Sequence, residues 1–165
     1  MGKPLIIIIM GVAGSGKSLV GLKLARALGW TFREGDEFHP AANIAKMSAG
    51  IPLDDADRVP YLLAVRAEIE SCLDERRSAV VACSALKESH REMLAVDPAR
   101  VKFVHLTGDP ALIRDRLAGR HGHFMKPEML ASQLAALEPP ADALTLDIAE
   151  EPDQLVARIR TAFAL

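Results

Sequence analysis

The sequence predicts an α/β fold: a doubly wound, five-stranded parallel sheet forming a single domain over residues 1–165. Three observations predict it. The run Leu5-Ile6-Ile7-Ile8-Ile9-Met10 is continuously apolar and rich in β-branched side chains, which suits a strand buried on both faces. A glycine-rich stretch, Gly11-Val12-Ala13-Gly14-Ser15-Gly16-Lys17-Ser18, follows at once and leads into an amphipathic segment, giving strand, loop, helix. Four further apolar segments alternate with segments of helical character, and right-handed crossovers join such units into one sheet.

In chain order, residues 5–10 form the central strand. Residues 19–28 place Leu19, Val20, Leu22, Leu24, Ala25 and Leu28 near helical spacing, with Gly29 as the stop. Residues 30–32 form a second strand, followed by helices over 41–49 and 57–75. A strand at 79–82 precedes a helix at 88–95, and a strand at 101–106 precedes helices at 110–117 and 127–137. A last strand at 144–148 leads to a helix at 152–163. Pro110, Pro127 and Pro152 open their helices, where a missing N–H leaves no bond unmade. Arg120-His121-Gly122-His123-Phe124-Met125-Lys126 interrupts the apolar rhythm with a basic, glycine-containing stretch, which places a lid at about 118–128.

Composition narrows the classes of function. Of 165 residues, 50% are hydrophobic and 25% charged, too apolar for a disordered chain. Lys and Arg number 20 against 22 Asp and Glu, a formal net charge of −2, so there is no basic field for nucleic acid and any anion binding is local. Cys72 and Cys83 lack the spacing of a disulfide framework, zinc ribbon or redox pair. The apolar run 5–10 is too short for a membrane span and no cleavage signal follows it. A cytoplasmic protein without a membrane partner is expected.

Residues 11–18 match G-x-x-x-x-G-K-[ST] in the strand-to-helix setting that the motif requires, which identifies a P-loop NTPase. Gly11, Val12, Ala13, Gly14, Ser15 and Gly16 curl the backbone so that its N–H groups face a polyphosphate, and the helix start adds partial positive charge. Lys17 reaches the β and γ phosphates of ATP, and Ser18 offers a hard oxygen to Mg²⁺. A guanine switch protein is disfavoured because Asn43, the only asparagine, is followed by Ile44-Ala45 instead of the base-reading Lys-x-Asp. A small kinase is the better class.

On the acceptor side, Asp36 lies just past the second strand, at the carboxyl edge where open α/β sheets bind ligands. Two readings of it stand: a base that orients an attacking hydroxyl, with a share in holding Mg²⁺, or a turn carboxylate. His39 either contacts the acceptor or packs its loop. Arg58 suits a bidentate grip on an acidic substrate, although a solvated surface role is equally open, and Lys87 and Arg91 could join it. No Asp follows the strand at 79–82, so the usual second metal carboxylate is missing and Asp36 is expected to cover part of its role. Arg116 and Arg120 are the cations expected to clamp the phosphates and exclude water, with a solvated helix face as their alternative. Cys83 reads as a buried strand-end residue.

Together, residues 11–18, Gly35-Asp36-x-x-His39-Pro40, Asn43-Ile44-x-Lys46-Met47, Gly50-x-Pro52-Leu53-x-Asp55-x-Asp57-Arg58-x-Pro60, Cys83-Ser84-Ala85-Leu86-Lys87 and Gly122-His123-Phe124 resemble the small P-loop gluconokinases over about residues 6–148. The cradle is shared by many NTPases, whereas the ordered set of the other five is specific to this family. The resemblance implies a nucleoside-monophosphate-kinase-like fold, ATP- and Mg²⁺-dependent phosphorylation of D-gluconate to 6-phosphogluconate, and a homodimer. Tyr61 stands where the family often has Trp, and His90 where Tyr is common. Other acceptors of the shikimate or nucleoside-monophosphate type, or a nucleotide-sensing module without transfer, are the alternatives.

Overall fold

Isoleucines at alternate positions of the first strand point to opposite faces, and this splits the hydrophobic core in two. The computed structural model describes residues 2–119 and 129–165. β1 (Ile6–Met10) is wholly buried and lies at the centre of an all-parallel sheet with strand order β2-β3-β1-β4-β5, where β2 is Thr31–Glu34, β3 Ala79–Ala82, β4 Val101–Thr107 and β5 Leu144–Asp147. Ile6 pairs with Ala79 on one side and Val101 on the other. Ile7 and Ile9 enter a core shared with α1 (Lys17–Leu28) and α7 (Pro152–Phe163), through Val20, Leu24, Leu155 and Ile159. Ile6, Ile8 and Met10 enter the other, with Tyr61, Val65 and Ile69 of α3 (Asp55–Asp74) and Leu94 of α4 (Glu88–Leu94). The predicted doubly wound parallel sheet with a central first strand is the fold observed.

The remaining helices are α2 (Ala41–Ser48), α5 (Pro110–Ala118) and α6 (Leu130–Ala136). Element boundaries shift for local reasons. Trp30 does not begin β2, because its N–H closes the end of α1 by bonding the Ala25 carbonyl at 2.9 Å. β2 instead extends to Glu34: as an edge strand it is only half-buried and tolerates Arg33 and Glu34, so apolar content understates its length. α3 starts at Asp55 because Asp54 and Asp57 form reciprocal caps, the Asp57 N–H donating to Asp54 at 2.7 Å and the Asp54 N–H to Asp57 at 3.1 Å. A 3-10 turn, Gly35–Phe38, follows β2 and was not expected from the sequence pattern. Among the described residues no helix is long and apolar enough to cross a membrane. Most of the expected lid (120–128), with Arg120 and the His121-x-His123 pair, lies outside them.

Candidate active site

The glycine-rich loop turns from the buried end of β1 into α1 under tight steric limits. A side chain at Gly11 (φ +150°) would stand 2.6 Å from the Leu106 carbonyl oxygen and 2.7 Å from Ser15 Oγ, so only glycine lets β4 approach the loop this closely. The Gly11 N–H donates to the Ser84 carbonyl at 3.3 Å, tying the loop to the segment after β3. Lys17 Nζ donates to the Val12 carbonyl at 3.0 Å, which folds the ammonium over the loop. The Ala13 N–H donates to Gln133 Oε1 of α6 at 2.6 Å. Ser15 Oγ is buried with no hydrogen-bond partner among the described residues.

Ser18, in the first turn of α1, hydrogen-bonds through its hydroxyl to Glu34 Oε2 at the end of β2. A neutral hydroxyl and a carboxylate thus converge beside the cradle, two hard oxygens of the kind Mg²⁺ takes. Among the described residues no group of three or more His, Cys, Asp or Glu forms a self-sufficient metal cage. The arrangement fits a cation that keeps waters and is shared with substrate phosphates.

Beyond Glu34 the chain enters the 3-10 turn that carries Asp36. The turn is pinned from below: a side chain at Gly35 would sit 2.2 Å from the Ala82 carbonyl oxygen and 3.0 Å from the Tyr61 hydroxyl. Asp36 lines a pocket with His39, Arg58, Tyr61, Ser84, His90 and Gln133. Since Gln133 also binds the cradle and Ser84 tethers Gly11, this pocket and the loop share two walls.

Electrostatics sort the pocket residues. His39 stacks on Tyr61 with ring centroids 3.8 Å apart, and its burial lowers its pKa, opposed by Asp36. Burial drives the Tyr61 phenol well above its usual range and the Cys83 thiol up to about 11; the two side chains share a 3.2 Å contact. Cys83 is therefore an inert, buried strand-end thiol, as expected. Arg58 is half-buried, and its guanidinium makes no hydrogen bond or salt bridge with the described residues; burial lowers its pKa, opposed first by Asp55. A guanidinium in a pocket without a partner is poised for an anionic ligand. Its position is set by its neighbours, because Asp57 accepts from Lys46 Nζ at 2.8 and 3.0 Å and its carbonyl accepts from Asn43 Nδ2 at 2.8 Å. Asn43, Lys46 and Asp57 thus clamp α2 to the start of α3.

The other expected acceptor cations are placed differently. Lys87 donates to Asp55 at 2.8 Å, outside the pocket lining. Arg91 is buried and gives its guanidinium to the carbonyls of Ala85 (2.8 Å), Leu86 (3.1 Å) and Glu138 (2.7 Å). It holds the wall of the pocket, including Ala85 in a left-handed conformation at φ +44°, without lining the pocket itself. Arg116, on α5, donates to the Ile148 carbonyl at 3.0 Å, past the end of β5. Sequence reasoning gave no site role to Glu34, His90 or Gln133. Glu34 had a readable signal, as the last residue before Gly35-Asp36; Gln133 and His90 reach the site only through the packing of α6 and α4.

Comparison with known proteins agrees with the fold. Residues 6–140 match the family described as AAA domain. The chain is similar to the gluconokinase of Gluconobacter oxydans (strain 621H), 47% identical over 140 residues that cover 85% of this chain and 79% of that one. The unliganded crystal structure of a sugar kinase from Janibacter sp. HTCC2649 superposes with a TM-score of 0.89 at 40% identity, covering 96% of this chain and 93% of that one. A gluconokinase from Sinorhizobium meliloti 1021 superposes with a TM-score of 0.81 at 40% identity, covering 99% and 98%.

Proposed function

This chain belongs to the gluconokinase family, and from that premise we propose that it transfers the γ-phosphoryl group of ATP to the primary hydroxyl of D-gluconate, giving 6-phospho-D-gluconate and ADP. The observation that carries the reading is the pocket that Asp36 and Arg58 line, which shares Ser84 and Gln133 with the phosphate cradle. A sugar acid presents a carboxylate for Arg58 and, at its other end, an alcohol for Asp36.

In this reading residues 11–16 wrap the phosphates with their N–H groups, and Lys17 exchanges the Val12 carbonyl for phosphate oxygens. Asp36 aligns the hydroxyl and takes its proton as the new O–P bond forms and the bond to the ADP oxygen breaks. Arg58 fixes the carboxylate, and His39, held flat against Tyr61, shapes the floor. Lys87 and Arg91 support this end of the pocket, the first through Asp55 and the second through the Ala85 and Leu86 carbonyls. Ser18 with Glu34 and Asp36 would hold Mg²⁺, which when bound compensates charge on the phosphates. Arg116 and Arg120 close over the nucleotide.

The reading extends to a homodimer, for which the exposed Ile44, Ile51, Val59 and Leu63 offer apolar surface, and to a reducing, cytoplasmic setting, in keeping with two free, buried thiols. The deciding experiment is ADP release coupled to a dehydrogenase, with ATP, Mg²⁺ and D-gluconate, against shikimate and nucleoside monophosphates. Turnover with gluconate at least ~100-fold above the other acceptors is expected, because acceptors lacking its hydroxyls and carboxylate leave buried polar groups unpaired. Turnover confined to another acceptor overturns the reading.

A further inference from the structure

His90 is a pocket side chain with a ring nitrogen that none of these roles uses. It is 6% exposed and lines the pocket with Asp36 and Arg58. The ring turns back on its own helix, so that Nδ1 accepts the Lys87 backbone N–H at 3.2 Å. A nitrogen that accepts carries no proton, and the neutral ring therefore holds its hydrogen on Nε2. Nε2 makes no hydrogen bond with the described residues, and the ring that carries it lines the pocket. A directional N–H is left over on the wall of a pocket suited to a polyhydroxy acid.

Burial, reinforced by the surrounding cations, keeps the ring neutral. Burial and then Arg58 push its pKa down to about 4, helped by Lys87 and Arg91 and opposed by Asp55; Asp36, His39 and Tyr61 are the other ionisable groups lining the pocket. A neutral donor next to a guanidinium adds direction without adding repulsion between cations.

We propose that His90 is a specificity-determining residue of the acceptor site, donating its Nε2–H to an oxygen of the bound sugar acid beside the Arg58 grip. The inference rests on the kinase reading above for the nature of that acceptor. A donor of this kind discriminates against acceptors that put carbon where the oxygen belongs, because the N–H is then desolvated without a partner.

The capping role and the binding role can be separated. Gln or Glu at the third helical position each accept the Lys87 N–H through a side-chain oxygen, so H90Q and H90E both preserve the start of α4. H90Q keeps an N–H donor, whereas H90E presents a carboxylate instead. We expect H90E to raise the acceptor KM by about 30-fold or more while the KM for ATP stays within about twofold, and H90Q to remain within about threefold of wild type, from the loss or retention of one buried hydrogen bond and its charge. Equal acceptor KM values for H90E and H90Q overturn the proposal, as does an ATP KM that moves in step with the acceptor KM. If H90E does not fold, H90L serves: an acceptor KM about tenfold above that of H90Q supports the role, the cost of one such bond, and parity refutes it. The variants are measured with whichever acceptor the wild type phosphorylates. Failure of gluconate in the wild type therefore tests the acceptor assignment, and the ratios among variants test His90.

Discussion

Arg58 and Lys87 carry the same charge within one short reach of Asp55, but only Lys87 spends it there. The difference lies in the stem and the head: a flexible ammonium reaches an exposed carboxylate, while the half-buried guanidinium stays in the pocket. Arg58→Gln removes the charge and keeps much of the volume. The acceptor KM should rise by about 100-fold, the loss of a charge-assisted pair worth ~2–3 kcal/mol, with little change in ATP affinity. Steady-state kinetics in both substrates check this, and an unchanged acceptor KM removes Arg58 from the site. Asp36→Asn should act on the other kinetic constant. Loss of a proton acceptor at the attacking oxygen lowers kcat by about 10²–10⁴-fold while nucleotide binding persists. Calorimetric titration of ATP alongside turnover measures both, and weakened ATP binding with normal turnover contradicts the assignment.

The strand-to-turn element 31–38 shows how backbone crowding aims a functional carboxylate. Gly35 packs against the Ala82 carbonyl so closely that no β-carbon fits, although its φ is unremarkable. Gly35→Ala must push the 3-10 turn outward and take Asp36 with it. We expect turnover to fall at least ~100-fold, as for other misplacements of about 1 Å, with the melting temperature lowered by only a few degrees. Activity near wild type would mean that the turn relaxes without moving Asp36. This element also marks the limit of what could be read from the sequence. The cradle, β1 and the alternation of strands and helices were legible because apolar runs and the spacing of glycines report directly on burial and backbone shape. Asp36 was legible through its place after a strand. The 3-10 turn, the Glu34 contact to Ser18 and the place of His90 in the pocket were not: the contact joins separate elements, the pocket position depends on how α4 packs, and the turn is capped by the Glu34 side chain, which no apolar pattern reports. Arg91 shows the converse: its charge suggested an anion ligand, and in the fold three carbonyls engage its guanidinium.

At the scale of the molecule, three histidines among the described residues are held neutral mainly by burial: His39, His90 and His105. Each has a folded pKa below its unfolded value near 6.5, so the unfolded chain binds more protons below that pH. Their stabilisation is complete above about pH 6.5 and is lost as the pH falls towards the folded values. Asp55, Asp57 and Asp97, depressed first by hydrogen bonds from Lys87, Lys46 and Arg100, add a second loss of the same sign below about pH 4. Melting temperature should therefore begin to drop between pH 6.5 and 5, before carboxylates protonate. The displacement of His90 to about 4 limits its share to ~3 kcal/mol, at ~1.4 kcal/mol per pH unit, and H90Q should flatten that part of the curve. A level profile from pH 7 to 5 would rule out this account.

The bond from Ala13 to Gln133 has a consequence for how nucleotide is acquired. The resting loop is already satisfied at that amide, so an arriving phosphate oxygen must share it or evict the glutamine. Loading is thus a swap of partners, and the evicted amide group belongs to the helix that also walls the neighbouring pocket. In the proposed reading, occupancy of one compartment would be felt in the other through Gln133, which predicts that the two substrates bind in an order.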